Sequence, residues 1–550
     1  MLDTFKALLA FTTLTAAIVT GVARLKRPEA LSASPTPRPA AAPPGRVALG
    51  FARVTDALPR LKERLIRVTD LQRIARLLSW DQQTMMPPGG SAARADHLAM
   101  LSQFAHELFV DDETGRLLGE LHGLGEEDSD DGALVRQAGR DYDKAVQVPA
   151  ELRAEMARAA AEARPVWVRA KEESDFTRFL PALERNVELR LRYIECFDGV
   201  AEPYDILLDD YEPQTTTAEV RETFDPLKNE LRPLIAELRE QDVDDSFLTG
   251  NFPVDRQERL AKGVVELFGM RPGTWRLDPT VHPFASGAGI DDVRITTNYD
   301  PQSMKSLFST MHEYGHGLYT HQLPQRLSRL PTGGPCSLGI HESQSRLWEN
   351  LVGRSAPFWR FFYPRVQAAY PEQLGAVELD RFFAAINKVQ PSLIRIKADE
   401  VTYGMHVILR FELEQDIVNG RVELSDLPRV WNERMKDYLG VDVPDDAHGV
   451  LQDIHWSAGM IGYFATYLLG TVMSLQIWER LNADLPELEH EIERGEFGSL
   501  RDWLGEHVHS LGRKFSPQET LRRAVGSAID VRPYLDYLAS KYRVGLAAEI

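Results

Sequence analysis

Two histidines stand four residues apart, with a glutamate directly after the first: His312-Glu313-Tyr314-Gly315-His316. On an α-helix, residues i and i+4 share one face, so both imidazoles can reach a single zinc ion. Glu313 then lies close to the ion's open coordination position, where a carboxylate can take a proton from water. The bland alternative is a pair of core or surface histidines on a helix. A catalytic zinc needs a third protein ligand and keeps one position for water. One source is a third histidine in the pattern HExxHxxGxxH. Here Tyr319 stands where that pattern needs Gly and Gln322 where it needs His, with His321 one residue off, so that source is excluded. The other source is a glutamate on a following helix. The stretch from Ile340 to Glu349 reads as such a helix and offers Glu342 and Glu349. Periodicity does not choose between them.

These groups need a rigid frame. Upstream of the motif, Asp292-Val293-Arg294-Ile295-Thr296-Thr297 alternates and is β-branched, which predicts a strand. Asp300 then reads as an N-cap and Pro301 as a first helical residue. The spacing predicts a helix from Pro301 to Gln322, ended by Pro324. Elsewhere helical periodicity dominates: Leu58 to Arg67, Ala150 to Glu172 with a kink or break at Pro165, Ala218 to Gln241, Leu374 to Lys388, Leu393 to Asn419, and Leu427 to Leu439. Breaks are short and marked by Pro and Gly, as at Met86–Gly90 and Leu330–Pro335. No repeat of fixed period is present. The pattern predicts a mainly α-helical body with one small β-sheet beside the active-site helix.

Composition narrows the class. The 550 residues are 43% hydrophobic and 26% charged, as in an ordinary soluble globular protein. A net charge of −19 lacks the basic footprint of a nucleic-acid binder. The two cysteines, Cys196 and Cys336, are far apart, which argues against a disulfide framework and for a reducing, cytoplasmic compartment. Residues 1–50 read as an extension and 51–550 as one helical body. Within the extension, Ala7 to Ala23 holds neither charge nor proline. It is followed by Arg24, Lys26 and Arg27 and a Pro/Ala/Ser tract. The run is short for a membrane span, and its basic cluster follows it instead of preceding it as in a signal peptide. Anchor, signal peptide and plain extension all stay open, and residues 7–23 are the only expected point of membrane contact.

With these residues in view, the chain resembles the carboxypeptidase Taq family of metallocarboxypeptidases from about Asp56 to Ile550. Six motifs carry the likeness, in order: His282-Pro283-Phe284, Asp292–Thr296, the HEYGH core, His341-Glu342-Ser343-Gln344, Ile394–Asp399, and Gly449–Trp456. Leu78-Ser79-Trp80-Asp81-Gln82 also looks like the family's early helical region. The resemblance implies Glu342 as third ligand of zinc, or of cobalt, which the same ligand set accepts. It also implies a helical, clefted fold, a homodimer, and removal of single residues from the free C-termini of peptides with broad preference. The departures are the N-terminal extension and the loop between His316 and Glu342, with Arg326, Arg329 and Cys336; the loop bears on substrate preference.

By resemblance to helical zinc peptidases, His455 and Tyr463 would stabilise the oxyanion of the tetrahedral intermediate, although Tyr463 also reads as core. A carboxypeptidase must bind a free carboxylate, which arginine does through paired hydrogen bonds. Arg294 and Arg395, each inside a family motif, are the candidates. His282 and Thr296 would shape the cleft, and Trp456 would pack. Two rivals stand beside this reading. A zinc endo-oligopeptidase or dipeptidase on a similar scaffold would cut peptides whose C-terminus is blocked. A non-enzymatic helical binding protein would hold no metal.

Overall fold

In this computed structural model, residues 46–125 and 128–545 are described. Ala7 to Ala23 therefore falls outside the described residues. Among the described residues, no helix is long and apolar enough to cross a membrane.

The architecture is mainly helical, with one three-stranded sheet. Seven helices matter for the site: α1 (Arg46–Thr84), α2 (Ala150–Glu173), α3 (Phe176–Ile194), α4 (Ser306–His321), α5 (Leu338–Arg346), α6 (Tyr403–Val418) and α7 (Ala465–Asp484). Strong helix formers such as Ala, Glu and Arg fill α2. One of its faces, including Leu152, Ala159, Ala163, Trp167 and Ala170, is buried. Pro165 does not split it: the helix runs through the proline without a break. Asp175 caps α3 by accepting from Thr177 N, and Ser337 caps α5 by accepting from Ile340 N.

The sheet has the order β1 (Trp275–Pro279), β3 (Asp292–Thr297), β2 (Ala285–Gly289). The strand predicted at Asp292–Thr297 is its centre, parallel to β1 with Arg276 beside Arg294, and antiparallel to β2. Val293 and Ile295 are buried. Helix α4 lies directly on this sheet, because a side chain at Gly317 would strike Trp275 and Ile295 at 2.5–3.0 Å.

The predicted start of α4 is corrected. Asp300 and Pro301 do not begin the helix, which starts at Ser306. Their backbone pairs elsewhere: Gly250 N donates to Gln302 O and Phe252 N to Pro301 O, while Gln257 Nε2 donates to Asp300 O at 2.7 Å. Asp300 Oδ1 accepts from Gln302 N, so the carboxylate caps a turn. Likewise, the helix predicted from Leu393 begins only at Tyr403. Asp399 gathers the amides of Gln390, Val401 and Thr402 and holds the preceding segment off the helix path. Of the stretch from Leu374 to Lys388, the main helix covers Leu379–Ile386.

One large apolar core runs from Val148 to Tyr542, and a smaller one joins Ala57, Leu61 and Leu65 to Leu117, Leu121 and Leu134. Arg326 pairs with Asp130, and Arg329 with Asp70 on α1. The loop whose sequence departs from the family is thus tied down by half-exposed ion pairs. Cys196 and Cys336 are both free thiols.

Candidate active site

Helix α4 brings His312 and His316 to one face with Glu313 next to His312, and α5 brings Glu342 to meet the two imidazoles. The ligand atoms of His312, His316 and Glu342 lie within 4.8 Å of one another. Glu342 Oε2 is 3.6 Å from His312 Nε2 and 3.5 Å from His316 Nε2. The backbones must come close for this. A Cβ at Gly315 on α4 would collide with the Gln344 carbonyl and lie 2.7 Å from Ser345 Cα, both on α5. On the far side of α5, a Cβ at Gly470 of α7 would sit 2.7 Å from Glu342 Cβ. The ligand helix is therefore clasped between two glycines. Its N-terminus is held by Leu338 N donating to Tyr211 O and by Gly339 N donating to the buried Glu212 carboxyl. Burial pushes that carboxyl up to about 8, against the opposing effect of Gly339 N and Ser337.

Glu349, the rival third ligand, has a different place. Its Oε2 is 2.8 Å from His312 Nδ1, the ring nitrogen turned away from the cluster. A carboxylate there fixes the tautomer that leaves Nε2 free to bind a metal. Glu349 lies on the π-helical turn Leu347–Val352 that continues α5, and such turns concentrate at functional sites. Arg346 joins the two carboxylates, with Nε to Glu342 Oε1 at 2.7 Å and Nη1 to Glu349 Oε2 at 3.3 Å. Sequence reasoning missed Arg346, although its i+4 spacing from Glu342 was the signal.

The electrostatics favour a cation. Burial opposes charge on His312, yet Glu342 and Glu349 together raise it to about 9. Burial raises Glu313 to about 8, with His312 opposing and Glu342 and Glu349 adding to the rise. Burial likewise acts against the Glu342 carboxylate, but Arg346 and the two histidines keep it well below the usual range. Glu313, Glu342 and Glu349 thus all act on His312, while Arg346 pairs with Glu342 and Glu349 but not with Glu313. Among the described residues, Glu313 Oε2 is buried with no hydrogen-bond partner, which is rare unless an ion, water or reacting group belongs there. Two imidazole nitrogens, one carboxylate and this unpartnered oxygen fit a divalent metal with a water position left open.

His455 and Tyr463 lie on one loop before α7, with ring centroids 5.2 Å apart. His455 Nε2 is 3.3 Å from Tyr467 Oη. Burial lowers His455 to about 3, Asp453 opposing and Arg395 and Arg410 assisting, so the imidazole is neutral. Burial raises the Tyr463 phenol, and the charge of Glu342 adds to the rise. Tyr463 is half-buried, not core.

The two arginines differ. Arg395 is buried and holds Asp453 Oδ1 at 2.8 Å through Nη2, while its Nη1 donates to Tyr403 Oη at 3.2 Å. Asp453 also takes Arg410 Nε at 2.6 Å. Tyr403 packs under Arg346, 4.4 Å from its guanidinium carbon, so two contacts connect Arg395 to the side chain holding Glu342. Arg294 instead pairs with Asp292 on its own strand at 2.7 Å and stacks on Trp80 of α1 at 4.2 Å. Thr296 is buried and exchanges hydrogen bonds with the backbone of Phe284. Burial and the nearby charges of Lys171 and Arg164 lower His282 to about 4. The structure thus gathers His312, His316 and Glu342 tightly with Glu313 in electrostatic contact, gives Arg294 and Thr296 partners on the sheet, and sets His282 near the charges of α2.

A family model described as carboxypeptidase Taq (M32) metallopeptidase matches residues 60–542. Thermostable carboxypeptidase 1 of Thermus thermophilus is 39% identical over 487 residues, covering 86% of this chain and 95% of the relative. Carboxypeptidase 1 of Bacillus subtilis is 36% identical over 482 residues, covering 87% and 96%. The crystal structure of the M32 carboxypeptidase from Deinococcus radiodurans superposes with a TM-score of 0.87 at 35% identity, covering 90% of this chain and all of that one. With the helical frame, the small sheet and the His/Glu cluster, these matches show that the chain belongs to the carboxypeptidase Taq (M32) family of metallopeptidases and is a carboxypeptidase.

Proposed function

We propose that the chain releases single residues from peptide C-termini with broad preference, using zinc held by His312, His316 and Glu342. The observation that carries this reading is the buried, unpartnered Glu313 Oε2 beside the three ligands. The two-histidine, one-glutamate set suits zinc and accepts cobalt. When bound, such an ion supplies polarisation of the scissile carbonyl and a lowered pKa for water. Glu313 takes a proton from the attacking water and delivers it to the departing amine. Its raised proton affinity suits a group that must both accept and release. His455 and Tyr463 donate to the carbonyl oxygen as negative charge builds on it. Burial keeps the first neutral and the second protonated, so each retains its donor hydrogen.

Of the two arginines, Arg395 is the better receptor for the substrate carboxylate. Arg395 and Arg410 together exceed Asp453 by one positive charge, whereas Asp292 neutralises Arg294. His282, Thr296 and Arg294 then shape the sheet side of the cleft.

The test uses N-blocked dipeptides with free or amidated C-termini, with and without chelator, on the parent and Glu313→Gln. Cleavage of free peptides alone is expected, abolished by chelator and slowed about 10²–10⁴-fold by the substitution with metal retained. Parental rates in Glu313→Gln would remove the glutamate base from the mechanism. Equal cleavage of amidated peptides would remove the carboxylate receptor.

A further inference from the structure

The loop from Ile454 to Phe464 carries both His455 and Tyr463, and several elements hold it and the residues that lead into it. From α2, Trp167 Nε1 donates to Leu451 O at 3.1 Å and Lys171 Nζ to Gln452 O at 2.7 Å. From α3, Asn186 Nδ2 donates to the carbonyls of Trp456 and Ser457 at 2.9 and 3.1 Å. These contacts hold the start of the loop. Helix α6 holds both of its ends. Arg410 grips Asp453, and one turn later stands Glu414, which is fully buried. Glu414 Oε1 accepts from Trp456 Nε1 at 2.9 Å. Its Oε2 accepts from Gly462 N at 2.9 Å and Tyr204 Oη at 2.6 Å. Trp456 directly follows His455, and Gly462 directly precedes Tyr463.

We propose that Glu414 is a positioning residue for the reaction: its single carboxyl group clasps both ends of the loop and so fixes His455 and Tyr463 relative to each other. The proposal rests on the reading of those two residues as oxyanion donors. Burying a carboxyl group is costly, and here it meets three donors with two oxygens. A glutamine has one acceptor oxygen, so its NH2 would face either Trp456 or the Gly462–Tyr204 pair. The end of the loop has no slack of its own. Gly462 has φ +100°, and a Cβ there would lie 2.5 Å from Leu207 O. A loosened grip would therefore displace the neighbouring Tyr463.

The experiment measures kcat, KM and bound metal on N-blocked dipeptides for full-length, metal-loaded Glu414→Gln, Tyr463→Phe and Glu412→Gln. Glu412 is on the same helix but pairs with Lys228 and Tyr438, so its variant should match the parent. Glu414→Gln is expected to lose about 10–100-fold in kcat, as for a misplacement near 1 Å, with KM and metal content unchanged. A purely structural role would lower folded yield and Tm but not kcat per metal-loaded molecule. Parental kcat in Glu414→Gln beside a slowed Tyr463→Phe overturns the proposal. Parental kcat in Tyr463→Phe overturns the oxyanion-donor reading and the proposal with it. Where Glu414→Gln does not fold, Trp456→Phe removes one grip and keeps the bulk. A fall in kcat at constant KM then supports the proposal, and parental kcat overturns it.

Discussion

Glu342 and Glu349 stand seven residues apart on one helix, so their spacing to the HEYGH motif says nothing about which one meets the metal. Three-dimensional placement separates them: one carboxylate faces Nε2 of both histidines, the other faces Nδ1 of His312. The His312–Glu313–His316 set was legible because i, i+4 spacing is a direct geometric statement. The orienting role of Glu349 was not, since it depends on which side of an imidazole a neighbouring helix reaches. The same holds for Arg395 and Arg294, whose motifs stand out in sequence while their partners Asp453 and Asp292 decide what charge each has left. At this scale Glu349→Gln should lower metal affinity about 10–100-fold, while Glu342→Ala should abolish stoichiometric binding. Titration of the metal-free protein with zinc against a competing chelator checks both. Equal losses in the two variants would mean that Glu349 is itself a ligand.

Elements were read well where one face is apolar and poorly where a polar side chain redirects the backbone. The strand Asp292–Thr297 was legible from alternation, because it lies at the centre of the sheet with Val293 and Ile295 buried. The Asp300-Pro301 pair has the signature of a helix start, yet the hydrogen bonds of residues 250–257 claim that backbone. Asp399 does the same before α6. Neither long-range partner is visible in local spacing. The N-terminus of α5 yields a prediction. An acid whose folded pKa is raised binds its proton more tightly when folded, so Glu212 contributes stability that is fully present below its ordinary 4.5 and lost as pH rises through about 8. Glu212→Gln keeps an acceptor for Gly339 N and cannot ionise. Its stability relative to the parent should therefore improve between pH 5 and pH 9, on the order of 1–3 kcal/mol. Urea unfolding across that range measures it; a constant difference would refute the assignment.

At the scale of the whole molecule, the helical class and the small sheet were legible because hydrophobic periodicity is distributed over hundreds of residues. How α4, α5 and α7 approach one another was not, because glycines give no periodic signal. The family match begins at residue 60, so deleting residues 1–45 should leave kcat/KM, metal content and Tm unchanged. Activity assays and thermal unfolding of the shortened chain check this, and a loss of either would give the extension a part in the fold.

Gly315 has a consequence for anyone who would transplant the motif. In the pattern HExxH the two middle positions are written as free, but here the second is where one helix backbone rests on another. A methyl group would act as a wedge between the base-bearing helix and the ligand-bearing helix, moving Glu342 away from the histidines although every ligand residue is still present in the sequence. The portable unit is therefore H-E-x-G-H together with the flat stretch at Gln344 and Ser345 that receives the glycine. A design that copied only the ligands would carry the chemistry without its spacing gauge.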